Sequence, residues 1–207
     1  MMCKNIKMVL GLLALLATSS VQAQINQSDP KAMIQQLSQS VLEHIAAKRE
    51  VLIKDPHQVK VFADQYILPY VDTPKMARYV MGQYWRTATT EQQQAFSEAF
   101  KNTLLRSYSQ SLIKLKVSKI KVNRVEEPRK GRATVMTDVT QSDGNITSVI
   151  YRAYFNKHSQ KWMLYDVTIE GISLLLNYRK IFAAEFETKG IDKVIADLRE
   201  KNKASLG

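Results

Sequence analysis

Tyr165-Asp166-Val167-Thr168-Ile169-Glu170-Gly171-Ile172-Ser173-Leu174-Leu175-Leu176-Asn177-Tyr178-Arg179 changes its period halfway along. As far as Ile169 it reads as a strand of β-branched and aromatic residues. Gly171 supplies a corner. Beyond it, Leu174, Leu175, Tyr178, Phe182 and Phe186 recur at helical spacing until Gly190. A strand that turns through glycine into an apolar helix sets a sheet beside a helical layer, which predicts an α+β fold.

Upstream of this stretch lie more strands. Residues 161–169 form one, joined through Asn156-Lys157-His158-Ser159-Gln160 to another at 146–155. Ser142-Asp143-Gly144-Asn145 is a hairpin signal, preceded by alternating Ala133, Val135 and Val139. A turn at Glu127-Pro128-Arg129-Lys130-Gly131 separates these from a strand at 114–125. Four strands with short turns imply an antiparallel meander over 114–169. Its last two strands are apolar on both faces: Val149, Tyr151 and Phe155 against Ile150 and Tyr154; Met163, Tyr165 and Val167 against Trp162 and Leu164. Such a sheet is expected to be covered by helices on both sides.

The helices lie on either flank. Asp29-Pro30 reads as an N-cap with proline in the first turn, and Met33, Leu37, Val41 and Ile45 follow to about Lys48. Asp55-Pro56 starts a second helix with Val59, Phe62 and Tyr66 on one face, ended by Pro69. Asp72-Thr73-Pro74 starts a third with Met76, Val80 and Tyr84. Thr89 and Thr90, each with a glutamine three residues on, offer capping boxes for a long helix striped by Phe96, Phe100, Leu104, Tyr108 and Leu112. Ile191, Ile195 and Leu198 mark a last helix. The helical part spans 30–112 and the C-terminal helices 172–203, about six in all.

The N-terminus reads as a secretory leader. Lys4 and Lys7 form a basic start, residues 9–17 an apolar run too short to span a bilayer, and Val21-Gln22-Ala23 a cleavage signal, giving a signal peptide over 1–23 and a single domain over 24–207. Cys3, the only cysteine, precedes the apolar run, so neither a lipidated cysteine nor a disulfide is expected. Without Lys4 and Lys7 the 30 basic residues fall to 28 against 19 acidic, a net +9. That excess favours anionic partners, and a leader argues against nucleic acid.

Catalytic signatures are missing from the sequence. The seven glycines are scattered, so no Gly-rich phosphate loop exists. His44, His57 and His158 have no metal-ligand spacing. No G-x-S-x-G elbow occurs. Glu126 and Glu127 point opposite ways in an extended segment. Asp166 reads as a cap for neighbouring backbone, and Trp162 as core. Trp85, beside Tyr84 and Arg86, reads as a clamp of its helix onto the sheet.

The closing stretch, read with Gly82-Gln83-Tyr84-Trp85-Arg86-Thr87-Ala88-Thr89-Thr90-Glu91-Gln92, resembles the MlaC family of periplasmic phospholipid carriers, also called toluene-tolerance proteins. The resemblance runs in order through the Met76-Ala77-Arg78 block, the long helix, the strands and 166–179. Asp72-Thr73 stands where relatives often carry a Phe-Asp-Phe-like run, and Gln160-Lys161 replaces the glycine common before Trp162. The resemblance implies a sheet like that of the NTF2/cystatin group, wrapped by helices around an apolar cavity for acyl chains. It implies a periplasmic carrier that is not an enzyme, has no cofactor and holds a diacyl phospholipid as cargo. It also implies docking at an outer-membrane lipoprotein–porin complex of the MlaA type and an inner-membrane MCE-domain ABC transporter complex of the MlaD type, maintaining outer-membrane lipid asymmetry in a Gram-negative cell. The carrier is expected to be a monomer.

A carrier must replace the bilayer around the tails. Burying about thirty methylenes at roughly 0.8 kcal/mol each gives a gross term of order 25 kcal/mol. A dry cavity of about 1,000 Å³ meets that need, at the upper end of ordinary ligand pockets. The expected walls are Met76, Val80, Phe100, Leu104, Tyr108, Val149, Tyr151, Met163, Tyr165, Val167, Ile172 and Leu175, each of which is equally readable as plain core. Arg152 and Arg179 are the expected neighbours of a phosphate headgroup, because guanidinium matches phosphate oxygens in a fork; each is equally readable as a structural ion-pair partner. Two other classes stay open: a hydrolase or isomerase, which needs convergent polar groups in its pocket, and a basic periplasmic adaptor, which needs none. A co-purified mass of phospholipid size separates them.

Overall fold

The computed structural model describes residues 24–114 and 116–203, leaving aside the side chains of 56, 109–112 and 114. The expected leader, 1–23, lies outside the described residues, as does the side chain of Leu112.

Seven α-helices and five strands make up the described chain: α1 (Pro30–Lys54), α2 (Pro56–Tyr66), α3 (Thr73–Met81), α4 (Tyr84–Thr87), α5 (Thr90–Lys114), β1 (Val117–Arg129), β2 (Arg132–Gln141), β3 (Ile146–Asn156), β4 (Lys161–Ile169), β5 (Ile172–Ser173), α6 (Leu174–Lys189) and α7 (Ile191–Lys203). A 3-10 turn, Leu68–Tyr70, joins α2 to α3. The strands form one open antiparallel sheet in the order β1-β2-β3-β4-β5. The meander is as expected; its size is not. The fifth strand is two residues long, below what sequence alternation can signal, and the additional helix is the single turn α4. The sheet does not close on itself into a barrel.

Side-chain caps start the helices. Asp29 accepts from the Ala32 amide at 2.7 Å, Asp55 from His57 at 2.9 Å and Asp72 from Lys75 at 2.8 Å. Thr89 and Gln92 form a reciprocal capping box at 3.0 and 3.2 Å ahead of α5. α1 runs past the expected Lys48 to Lys54, because Leu52 is buried and continues its apolar stripe. Tyr84 is not on α3: Gly82, at φ +56°, breaks the chain before α4. The expected turn at 127–131 shrinks to Lys130-Gly131, with Glu127 accepting from the Gly131 amide at 2.6 Å.

The packing forms three apolar clusters. The largest joins α3, α5, α6 and α7 around Met76, Val80, Phe96, Phe100, Phe182 and Phe186. A second lays Met33, Ile34 and Leu37 of α1 on Ala133, Val135, Ala153, Trp162 and Leu164 of the sheet. The third gathers Ile45 and Leu52 of α1 with Val59, Phe62 and Ile113. The helical part joins the sheet at β4: Val71 bridges Leu164 in parallel, and the Asp72 amide donates to the Leu164 carbonyl at 2.8 Å.

One irregularity re-aims the sheet. Arg152 pairs with Asp166 and Ala153 with Leu164, so Tyr165 is an extra residue on β4, a β-bulge. Val167, opposite Tyr151, consequently shares a face with Leu164 and Trp162, not with Met163 as simple alternation predicts. The other face is unevenly covered. Thr134, Met136, Ile150 and Arg152 are only partly buried, so helices do not blanket both sides. β1 forms the outer edge; its pairing with β2 is interrupted three times, and Lys119, Lys121, Arg124 and Pro128 on it are exposed.

Candidate functional site

Where the three clusters meet, the packing leaves a cavity of about 210 Å³. Val59, Ala63 and Ile67 line it from α2 and its end, Leu68 and Val71 from the connecting turn, and Thr73 and Met76 from α3. Lys101, Leu104, Leu105 and Tyr108 line it from α5, Leu164, Asp166 and Val167 from β4, and Leu174 from α6. Val59 belongs to the third cluster, Met76 to the first and Leu164 to the second. Val71, itself a wall, packs against both the first and the second cluster, and the cavity lies in the seam where the three meet.

The corner of the closing sequence stretch builds one wall. The Asp166 carboxylate is fully buried. One oxygen accepts from the Leu175 amide at 3.0 Å; the other accepts from the Ser173 hydroxyl at 2.8 Å and from Arg152 Nη1 at 3.2 Å. Ser173 Oγ in turn accepts from the Leu176 amide at 3.1 Å, as the N-cap of α6. The first turn of α6, which carries Leu174, is pinned to β4 by one carboxylate. The expectation that Asp166 caps neighbouring backbone agrees with this geometry.

At the opposite wall, burial pushes the Tyr108 phenol up to about 12, helped by the neighbouring Tyr178. Tyr108 therefore stays neutral at any physiological pH. Apart from Lys101 and Asp166, whose oxygens are engaged by Leu175, Ser173 and Arg152, the walls carry no charged side chain. No group of histidine, cysteine and carboxylates able to hold a metal occurs among the described residues.

Of the residues singled out from sequence, Met76, Leu104, Tyr108 and Val167 meet at this cavity. Val80, Phe100 and Leu175 lie inside the first cluster. Val149 is buried in the sheet, opposite Thr137 and Ile169. Tyr151 packs against the second cluster, and burial raises its phenol. Met163 receives a 3.4 Å contact from Gln27 Nε2. Ile172 stands exposed on β5, opposite Ile169. Tyr165 stacks on Tyr79 at 5.7 Å, away from the cavity lining. Arg152 is the partner of Asp166, and Arg179 lies over Gly82. Trp85 packs partly against the first cluster, and Trp162 is buried edge-to-face on Phe155.

Sequence reading missed Val59, Ala63, Ile67, Leu105 and Leu164 as walls. A signal existed for the first three: they fall four residues apart along α2. Lys101, Leu104, Leu105 and Tyr108 likewise follow the i, i+3, i+4, i+7 pattern of one helical face. That face diverges from the Phe96-Phe100 stripe because an exact four-residue repeat drifts around a 3.6-residue helix.

Known proteins share this plan. The phospholipid-binding protein of Ralstonia solanacearum, solved in complex with a phospholipid, superposes with a TM-score of 0.79 over 86% of this chain and 99% of that one, at 24% identity. The intermembrane phospholipid transport system binding protein MlaC of Haemophilus influenzae is 23% identical over 178 residues, 85% of this chain and 83% of that protein. The toluene tolerance protein ttg2D of Pseudomonas putida is 28% identical over 188 residues, 89% of this chain and 86% of its own length. The family model described as MlaC protein matches residues 35–200, through every helix from α1 to α7 and the whole sheet, and the chain belongs to the MlaC family.

Proposed function

We infer that the protein is a soluble periplasmic phospholipid carrier of the MlaC and ttg2D type, a transport protein and not an enzyme. The observation that carries this reading is the apolar seam cavity, walled by all three clusters and almost free of charge. Family membership and the phospholipid named for the relatives supply the cargo class.

The cavity volume sets a mechanical condition. At about 210 Å³ it offers about a fifth of the roughly 1,000 Å³ needed for two acyl chains. Loading a diacyl phospholipid requires the seam to widen. Val59, Met76 and Leu164 are buried in different clusters, so widening between them loosens chiefly the shared contacts of Val71 and leaves each cluster's interior packed. The tails then supply the gross burial energy, of order 25 kcal/mol at roughly 0.8 kcal/mol per methylene. The docking partners that fit such a shuttle are an outer-membrane lipoprotein–porin complex of the MlaA type and an inner-membrane MCE-domain ABC transporter complex of the MlaD type. Energy for directional transfer comes from those partners, since the carrier has no nucleotide-binding motif.

Solvent extraction of the purified protein followed by lipid analysis tests the reading. Stoichiometric diacyl phospholipid is expected, with phosphatidylethanolamine, phosphatidylglycerol and cardiolipin loading within about a hundredfold of one another, or roughly 2.7 kcal/mol. A protein that purifies empty and takes up no lipid from phosphatidylethanolamine vesicles overturns it.

A further inference from the structure

We propose that a second concavity, bounded by α3, α4, the start of β2 and α6, is an oxyanion site that takes a phosphate-bearing group. It encloses about 550 Å³ and shares no lining residue with the apolar cavity. α3 separates the two: Thr73 and Met76 face the apolar cavity, while Lys75, Arg78 and Tyr79 line the second.

Five cations converge there, Lys75, Arg78, Arg86, Arg132 and Arg179, and no carboxylate lines the space. Among the described residues none of the five forms an ion pair; the pairs of the protein involve other cations. The acid nearest in sequence, Asp72, has its oxygens engaged by the Lys75 amide and the Tyr154 hydroxyl. Like charges gathered in one concavity repel and raise the local anion concentration, so the balancing charge comes from outside the chain.

The cations are also positioned. Arg132 is held near the Tyr154 and Tyr165 rings at 5.4 and 5.5 Å, and its Nη1 is buried without a hydrogen-bond partner. Lys75 Nζ sits 3.7 Å over the Tyr154 ring. Arg179 lies against the backbone of Gly82, where a Cβ would come within 3.3 Å of its Nη2. Glycine at that position therefore leaves room for the guanidinium. Guanidinium forks match phosphate oxygens, and a phosphate group offers several cations more acceptor oxygens than a carboxylate does.

The phosphate can be that of a cargo lipid or that of a free solute, and inorganic pyrophosphate reports on both. Calorimetric titration at low ionic strength, into delipidated and into lipid-loaded protein, is expected to show binding with a Kd below about 1 mM in the delipidated form. Binding only to delipidated protein assigns the site to the cargo's own phosphate; binding to both forms assigns it to a free phosphate-bearing solute. Arg78→Gln with Arg179→Gln should weaken binding at least tenfold, and the exposed Arg86→Gln alone gives a check that does not depend on that pair folding. Lys201→Gln with Lys203→Gln, which removes the same charge from α7, should change it less than twofold. No pyrophosphate binding, or equal weakening by the α7 pair, overturns the proposal. Lipid extraction reads the carrier function separately, so the two can fail independently.

Discussion

Replacing Asp166 by alanine should destabilise the protein by about 4 kcal/mol, a figure that follows from three contacts. The carboxylate is fully buried and accepts from the Leu175 amide at 3.0 Å and the Ser173 hydroxyl at 2.8 Å. Hydrogen bonds to a charged group contribute about 1.5–3 kcal/mol each, and truncation leaves the donors unsatisfied. The third partner, Arg152, has 42% of its side chain exposed and returns to water when released, so it adds at most about 1 kcal/mol. For a domain of this size each kcal/mol moves Tm by about 2–4 °C, so the midpoint should fall by about 8–16 °C. Asp166→Asn keeps an acceptor for Leu175 but turns an amide donor toward Ser173 and Arg152, and should cost about 2 kcal/mol. Arg152→Ala should cost about 1 kcal/mol. Urea unfolding of the three variants tests the order. A loss below about 1 kcal/mol for Asp166→Ala, or an Arg152→Ala cost equal to it, would refute the reasoning that the carboxylate acts chiefly as the clamp of α6.

Leu104→Glu should abolish lipid retention while the protein stays folded by circular dichroism, because a carboxylate facing the apolar cavity must stay charged without water or take up a proton; a folded variant carrying normal lipid sinks this. Gly82→Ala should cost about 2 kcal/mol in urea unfolding, since φ +56° with ψ −118° is a glycine conformation and the new Cβ presses on Arg179. Tyr108 favours the folded state below its unfolded pKa of about 10 and loses that contribution as pH rises toward its folded value of about 12. Stability should therefore decline across that alkaline window, and less steeply in Tyr108→Phe; identical profiles would show that the phenol does not titrate with unfolding.

The strand-to-helix corner was readable from its residues because period, glycine and cap all change within a few positions. The Thr89–Gln92 box and the aspartate caps were readable for the same reason: each is a local hydrogen bond written in adjacent residues. Tyr165 shows where such reading stops. A bulge inserts one residue without altering composition, and it moved Val167 to the face of Leu164. Cavity walls were only partly readable, because apolar residues at helical spacing look the same whether they meet another side chain, as Phe100 does, or a gap, as Leu104 does. The cationic concavity was hidden for a different reason. Its cations come from α3, α4, β2 and α6, and only the fold brings Arg132 beside Arg179.

The outer strand has a consequence for how such a molecule travels. A free sheet edge is a template for another chain, and 13 residues make a long one. β1 is guarded by three breaks in its ladder, by exposed Lys119, Lys121 and Arg124, and by Pro128, which has no amide to offer an incoming strand. Two copies meeting along that edge find mismatched spacing. A shuttle works only as fast as single molecules diffuse between two surfaces, and chains stacked edge to edge would carry their cargo nowhere. The lysines and kinks of β1 work against that stacking.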